Sequence, residues 1–307
     1  MDMLVVGTVA FDALETPFGK TDKIIGGAAT YISLASSFFH VKPWLVSVVG
    51  DDFPQEFIHF MNERGINTDG LEIRQDEKSF FWSGRYHNDM NTRDTLDTQL
   101  NVLASFNPVV PEECREVDFV MLGNLMPSIQ AQVLDQLTSR PKLVVMDTMN
   151  FWMDTQMDEL LKVMQRVDVL TINDEEARQL SGEYSLVKAA QKILKMGPSV
   201  LVIKKGEHGA LLFNKEEIFF APALPLEEVF DPTGAGDTFA GGFIGYLCQT
   251  RDISFANMKR AIIYGSAMAS FCVEKFGTER MVELTHAQLQ ERVEQFINLV
   301  QFDIALA

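Results

Sequence analysis

A mostly parallel β-sheet covered by helices on both faces, an α/β architecture, is the fold the sequence predicts. Three observations predict it. Short apolar runs alternate with helix-length patterns from one end of the chain to the other, which is the rhythm of strands and crossover helices. Glycines or acidic residues follow several of those runs. A length of 307 residues with 47% hydrophobic and 22% charged content suits an α/β enzyme with ample apolar surface to bury. In such sheets ligands collect at the carboxyl ends of the strands, so the residues after each run are the candidates for chemistry.

Residues 3–8 (M-L-V-V-G-T) read as a buried strand ending at Gly7, with Asp12 following. Gly26-Gly27 opens a helix over 28–39. The next strand, 45–49, ends at Gly50-Asp51-Asp52 and precedes a helix around 56–64. Further strands are expected at 119–122, 143–146, 167–172, 200–203 and 210–213. The stretch 71–96 breaks the rhythm and reads as two or three strands. There Phe80, Trp82 and Tyr86 fall on one side, with Phe81, Ser83, Arg85 and His87 on the other. Together with the non-helical 14–25, it is expected to form a small β-layer, either a lid or an edge hairpin. The expected organisation is one domain over 1–307: an α/β core at 1–13, 26–70 and 98–307, and a lid at 14–25 and 71–97.

Composition excludes several classes. A formal charge of −17 without any basic cluster argues against a nucleic-acid partner. Cys114, Cys248 and Cys272 lack C-x-x-C spacing, which fits reduced thiols and a cytoplasmic location. The apolar first residues carry Asp2 in place of a basic flank and read as a strand, not a signal peptide. The most apolar later run, 261–273, is too short to span a bilayer, so no membrane partner is expected. Gly19-Lys20-Thr21 resembles the end of a P-loop, but Leu14 stands where its first glycine belongs. Gly234-x-Gly236 fails the dinucleotide fingerprint because Phe239 replaces the third glycine. Neither H-E-x-x-H nor G-x-S-x-G occurs.

One stretch carries a strong signal. Residues 231–243 read D-P-T-G-A-G-D-T-F-A-G-G-F: a proline-started loop, two glycines one residue apart, then Asp237 on the first turn of an apolar helix. Amides at a helix start have no partner within the helix, and the helix dipole adds partial positive charge there. Such a turn is an anion site. A carboxylate in that place suits a base that takes a proton from a nucleophile attacking a phosphate. Gly241 and Gly245 share a face with Asp237 at i, i+4 spacing, and Ala261, Gly265 and Ala269 form a second small-residue face. The two helices are therefore expected to pack closely, small face to small face. Lys204-Lys205-Gly206-Glu207-His208-Gly209 forms a tight loop after a strand, either an ordinary turn or part of the site. Asn173 to Glu176 (N-D-E-E) reads as an N-cap with helix-favouring acids, or as acids near Mg²⁺.

The 231–243 stretch resembles the C-terminal signature of the ribokinase-like (PfkB) family of carbohydrate and nucleoside kinases. The order of Asp12, Gly26-Gly27, the β-lid, N-x-x-E at Asn173 and Glu176, and K-G-x-x-G at Gly206 and Gly209 matches it over nearly the whole chain. The resemblance implies a three-layer α/β/α core with a β-sheet lid, and transfer of the γ-phosphoryl group of ATP to a hydroxyl of a sugar, nucleoside or cyclitol such as inositol. It implies Asp237 as the base, and amides of Gly234, Ala235 and Gly236 as the anion hole. Acceptor hydroxyls would meet Asp12, Gly26, Gly27 and the lid return, which is rich in hydrogen-bonding groups, Arg93 among them. Asn173, Lys205, Gly206, Gly209, Gly265 and Ala269 would border the nucleotide, and Glu176 would hold Mg²⁺ through water. Some relatives add a monovalent cation, and family precedent suggests a homodimer through the lid. Two departures stand out: Lys205 replaces a common threonine or serine, and Asn150-Phe151-Trp152 replaces an arginine-bearing segment of many sugar kinases.

Overall fold

The computed structural model describes residues 2–301. Its strands, in chain order, are β1 (Asp2–Val6), β2 (Ala10–Thr16), β3 (Gly19–Lys20), β4 (Ile24–Gly26), β5 (Lys42–Gly50), β6 (Leu71–Arg74) and β7 (Phe80–Tyr86). There follow β8 (Arg93–Gln99), β9 (Phe119–Leu122), β10 (Leu143–Asp147), β11 (Val169–Asn173), β12 (Val200–Lys204), β13 (Ala210–Phe213) and β14 (Ile218–Ala221).

Nine of these form one sheet in the order β14-β13-β12-β11-β10-β9-β1-β5-β6. Pairing is parallel from β12 to β6, and β13 and β14 run antiparallel at one edge. Both faces are buried, which is why the strands read as continuous apolar runs. Successive residues of β1 serve opposite cores: Met3 and Val5 face one cluster, Leu4 and Val6 the other, and all four are fully buried. The first core holds the helices Ala28–Ser36, Ala235–Thr250 and Phe255–Cys272. The second holds Pro127–Asp135, Met157–Met164 and Leu186–Ile193.

A second, five-stranded sheet runs β3-β2-β7-β8, with β4 paired to the first half of β2 on the edge that β3 also uses. Its limits differ from those expected. Leu71–Arg74 belongs to the large sheet, pairing in parallel with β5 from Ser47↔Leu71 to Gly50↔Arg74. It is a short edge strand with only Leu71 buried, so it has neither an apolar run nor a helix pattern to mark it as core. Conversely, the lid sheet begins at Ala10, which makes Asp12 a lid-sheet residue and not the tail of β1. The alternation along β7 is broken by a register shift between Ser83 and Gly84.

The small-residue faces also pack differently from expectation. A Cβ on Gly241 would lie 2.5 Å from the Ile32 carbonyl, and one on Gly245 would lie 2.7 Å from the Phe39 ring, so this face meets the Ala28–Ser36 helix and the turn after it. Gly242, about 100° further round, is the glycine that meets the second small-residue helix: its Cβ would lie 3.0 Å from Gly265 Cα. The Ala235–Thr250 helix is thus clamped between two helices, each brought close by its own glycines.

Candidate active site

The site begins with the loop before that clamped helix. The Asp231 carboxylate accepts from the Thr233 amide through Oδ1 and from the Gly277 amide through Oδ2, both at 2.8 Å. Phe230 N–H donates to the Val273 carbonyl at 2.9 Å. These bonds fix the entrance of the loop from two sides. Gly234 then takes a left-handed conformation (φ 76°), and a Cβ there would lie 2.4 Å from the Tyr31 ring, so glycine is required on both counts.

No side chain caps the helix at Gly234. The Ala235 amide turns back to the Pro232 carbonyl at 3.2 Å. Among the described residues the amides of Gly234, Gly236 and Asp237 donate to no protein acceptor. The available donors are therefore Gly234, Gly236 and Asp237, whereas the sequence pointed to Gly234, Ala235 and Gly236.

Asp237 occupies the first turn of the helix, half-buried. Desolvation pushes its carboxyl up to about 7, with help from the negative charge of Asp147; Lys204 and Arg93 pull the other way. A carboxyl held near neutrality is matched to general-base work.

Lys204 is the residue that sequence reasoning missed. The K-G-x-x-G resemblance points to Lys205, but strand alternation decides which side chain turns toward Asp147. Lys204 ends β12, in register with Asn173 at the end of β11. Its ammonium lies 2.6 Å from Asp147 Oδ2, with side-chain exposures of 16% and 6%. The signal was there to read: a lysine as the last residue of a buried strand, where an apolar residue is the usual choice. Asp147 ends β10 and also accepts from the Thr171 hydroxyl at 3.0 Å and the Thr148 amide at 2.8 Å. Gly236 brings the backbone over this pair, since a Cβ there would lie 3.1 Å from Lys204 Nζ.

Asn173 and Glu176 form a reciprocal capping box: Asn173 Oδ1 accepts from the Glu176 amide at 2.8 Å, and Glu176 Oε2 accepts from the Asn173 amide at 2.7 Å. Burial and then Asp147 raise the Glu176 carboxyl to about 7. A repelling carboxylate pair on the phosphate side of the site suits a hydrated divalent cation. Groups of three or more potential ligands that could enclose a bare ion are absent among the described residues. Glu176 and Asp147 thus fit Mg²⁺ held through its waters, the usual mode for a phosphate-bound ion.

On the other side, Asp12 lies against Gly26, where a Cβ would sit 1.8 Å from Oδ2. The Gly27 amide donates to Asp12, but burial, Asp231 and Asp237 outweigh it and push the carboxyl up to about 8. The lid reaches the same place. Tyr86 is buried, its hydroxyl 3.2 Å from the Thr233 hydroxyl, and Arg93 lies 5.7 Å from the Trp82 ring centre. The Arg93 charge is felt at Asp12, Glu176 and Asp237 alike.

The Lys205–Gly209 loop borders a surface cavity of about 330 Å³ that Phe220, Pro222 and Ala223 also line. Gly206 (φ 53°) faces the lid tip, with Asn91 Oδ1 2.6 Å from its Cβ position, and Gly209 (φ 81°) faces the Ala221 carbonyl. Gly265 is buried against the Phe239 carbonyl, and Ala269 is half-buried one turn on.

An uncapped helix start beside a carboxyl held near neutrality, with a small β-sheet packed next to both, suits phosphoryl transfer, and comparison with known proteins agrees. Residues 5–284 match the pfkB family of carbohydrate kinases, and the chain belongs to that family. It is 29% identical over 259 residues to the cytidine kinase of Thermococcus kodakarensis, covering 82% of this chain and 91% of the relative. The crystal structure of Methanocaldococcus jannaschii nucleoside kinase superposes with a TM-score of 0.76 at 21% identity, covering 96% of this chain and 98% of that one. A putative ribokinase II from E. coli, solved with ATP and Mg²⁺, gives 0.76 at 19% identity over 97% and 99% of the two chains. The protein is an ATP-dependent kinase that phosphorylates a hydroxyl of a sugar or nucleoside. No described helix is long and apolar enough to cross a membrane.

Proposed function

We propose that the protein is a nucleoside kinase with Asp237 as its base. The observation that carries this reading is the half-buried Asp237 carboxylate, held near neutral pKa, beside the undonated amides of Gly234 and Gly236. Asp237 takes the proton of the acceptor hydroxyl as that oxygen bonds to the γ-phosphorus; the bond to the β-phosphate oxygen breaks, leaving ADP. Positioning and charge stabilisation supply most of such a reaction. The amides face the oxygens of the group in flight, where oriented donors are worth most. Mg²⁺, when bound, would neutralise phosphate charge, with Glu176 and Asp147 holding its water shell. Asp12, largely protonated at neutral pH, and the Gly26-Gly27 backbone orient the ribose hydroxyls.

The choice of a nucleoside over a free sugar rests on the lid. Trp82, Tyr86 and Arg93 together offer an aromatic and cationic surface suited to a base. The similarity to a cytidine kinase supports the same choice, and the absence of an arginine from Asn150-Phe151-Trp152 weighs against a phosphorylated or keto-acid sugar. ADP release against a panel of nucleosides, free sugars and inositol tests it. Highest kcat/KM with a nucleoside is expected; preference for ribose or inositol would replace it with a sugar or cyclitol kinase. No turnover with any acceptor would instead favour a silent ligand-binding relative.

The wider reading includes Lys205, Gly206 and Gly209 along the nucleotide, Gly265 and Ala269 beside its base, and Asn173 near the phosphates. It also includes a homodimer through the lid, since β8 is an exposed edge strand with Leu96 half in solvent. A monomeric mass by light scattering at micromolar concentration would dispose of the dimer. A monovalent cation as activator is tested by comparing turnover in potassium and tetraalkylammonium salts.

A further inference from the structure

A buried ammonium should place all of its N–H groups on acceptors, because an unpaired one costs the desolvation it cannot recover. Lys204 does not. Its side chain is 16% exposed, yet among the described residues Asp147 is its one hydrogen-bond acceptor. Two of its three N–H groups are left over. The anion turn is close by, since the Gly236 Cβ position is 3.1 Å from Nζ and any side chain there would block the way. Charge points the same way. Asp147, Glu176 and Asp237 all act on Lys204, so without a cation the site would repel a polyphosphate.

We propose that Lys204 is a catalytic residue of the transfer step, its two spare N–H groups contacting oxygens of the phosphoryl group as it passes from ATP to the acceptor. Asp147 is a positioning residue that holds the ammonium under the turn through its third N–H. The carboxylate has its own fixed donors in Thr171 and Thr148, so it acts as a rigid post. Lys204 gives up no proton in the step: the acceptor proton goes to Asp237, and the breaking P–O electron pair goes to the β-phosphate of ADP. The ammonium adds to the charge stabilisation that the Gly234 and Gly236 amides provide. The sequence K-K-G hides this role, since only the first lysine shares the parity of the strand's site-facing end.

The inference rests on the phosphoryl-transfer reading, and the test separates the two. In Lys204→Met, kcat should fall about 100-fold, the usual cost of one transition-state donor. The acceptor KM should change little. The acid limb of the pH profile should move to higher pH, because a charge that holds the Asp237 carboxyl down is gone. Asp147 would be left buried without a counter-charge, so Lys204→Met could unfold; the double variant Asp147→Asn/Lys204→Met removes both charges and guards against that. In either variant, titration with AMP-PNP and with ADP should show the γ-phosphate's share of affinity lost, AMP-PNP weakening at least tenfold more than ADP. Asp147→Asn alone separates the two contributions: a loss it shares belongs to the water shell of the cation, and the further selective loss in the double variant belongs to Lys204. Equal weakening of both nucleotides would mean a structural role and overturn the proposal. So would kcat within threefold of wild type with the acid limb unmoved. If Asp237→Asn also kept its turnover, the phosphoryl-transfer reading itself would fall; an inactive Asp237→Asn beside an active Lys204→Met would remove the lysine alone.

Discussion

The Tyr86 hydroxyl of the lid lies 3.2 Å from the hydroxyl of Thr233, the residue before the anion turn. A part-buried hydrogen bond therefore ties the lid to the loop before the helix Ala235–Thr250, across 147 positions of the chain. Tyr86→Phe removes that bond together with the hydroxyl's interaction with Arg93. With a net worth of about 1 kcal/mol, its loss should raise the acceptor KM about fivefold by favouring the open lid. Steady-state kinetics at saturating ATP checks this, with kcat expected to fall less than KM rises.

Gly234→Ala should damage both stability and turnover. The left-handed backbone costs a side-chained residue about 1–2 kcal/mol, and the added methyl would press on the Tyr31 ring at 2.4 Å. The turn must then shift, moving the Gly236 and Asp237 amides that have no protein acceptor among the described residues. A lower melting temperature together with a kcat loss of about tenfold or more is expected, since misplaced positioning groups carry large rate penalties.

Gly242→Ala and Gly241→Ala should each destabilise the fold by about 1–3 kcal/mol through overpacking, because both new methyls would meet backbone atoms that cannot rotate away. Urea denaturation checks the pair. A neutral result for Gly242→Ala would contradict the close approach of the helix Ala235–Thr250 to Gly265.

Without ligands, stability should fall as pH rises from about 4 to 8. Asp12, Glu176 and Asp237 have folded-state values raised to about 8, 7 and 7, against ordinary values of 3.8, 4.5 and 3.8. A raised carboxyl binds its proton more tightly when folded, so its contribution is full below the unfolded value and is lost as pH climbs through the folded one. Melting temperatures from pH 5 to 8 check the slope, and Asp12→Asn should flatten its upper part.

The large sheet was legible because buried parallel strands leave apolar runs: 119–122 and 210–213 were read to the residue. Leu71–Arg74 was not, since an edge strand with one buried side chain leaves no such run. Ala10–Thr16 was misplaced for a related reason. Nothing in its pattern shows that the chain leaves one sheet at Gly7 and enters another. Within the site, Asp237 and the glycines announced themselves because backbone geometry restricts residue choice there. Lys204 and the Tyr86–Thr233 bond depend on which neighbours the fold brings together. The helix contacts illustrate the same divide: i, i+4 spacing gave the Gly241–Gly245 face correctly, but only packing assigns that face to the helix Ala28–Ser36 and Gly242 to Gly265.

Turnover and nucleotide binding of Asp237→Asn, measured together, test the account most directly. The amide removes the base and leaves the anion turn and its donors in place. ATP affinity should stay within a few-fold of wild type while kcat falls about 1,000-fold, within the range for loss of a general base. Turnover within tenfold of wild type, with binding intact, would contradict the assignment of Asp237 as the base.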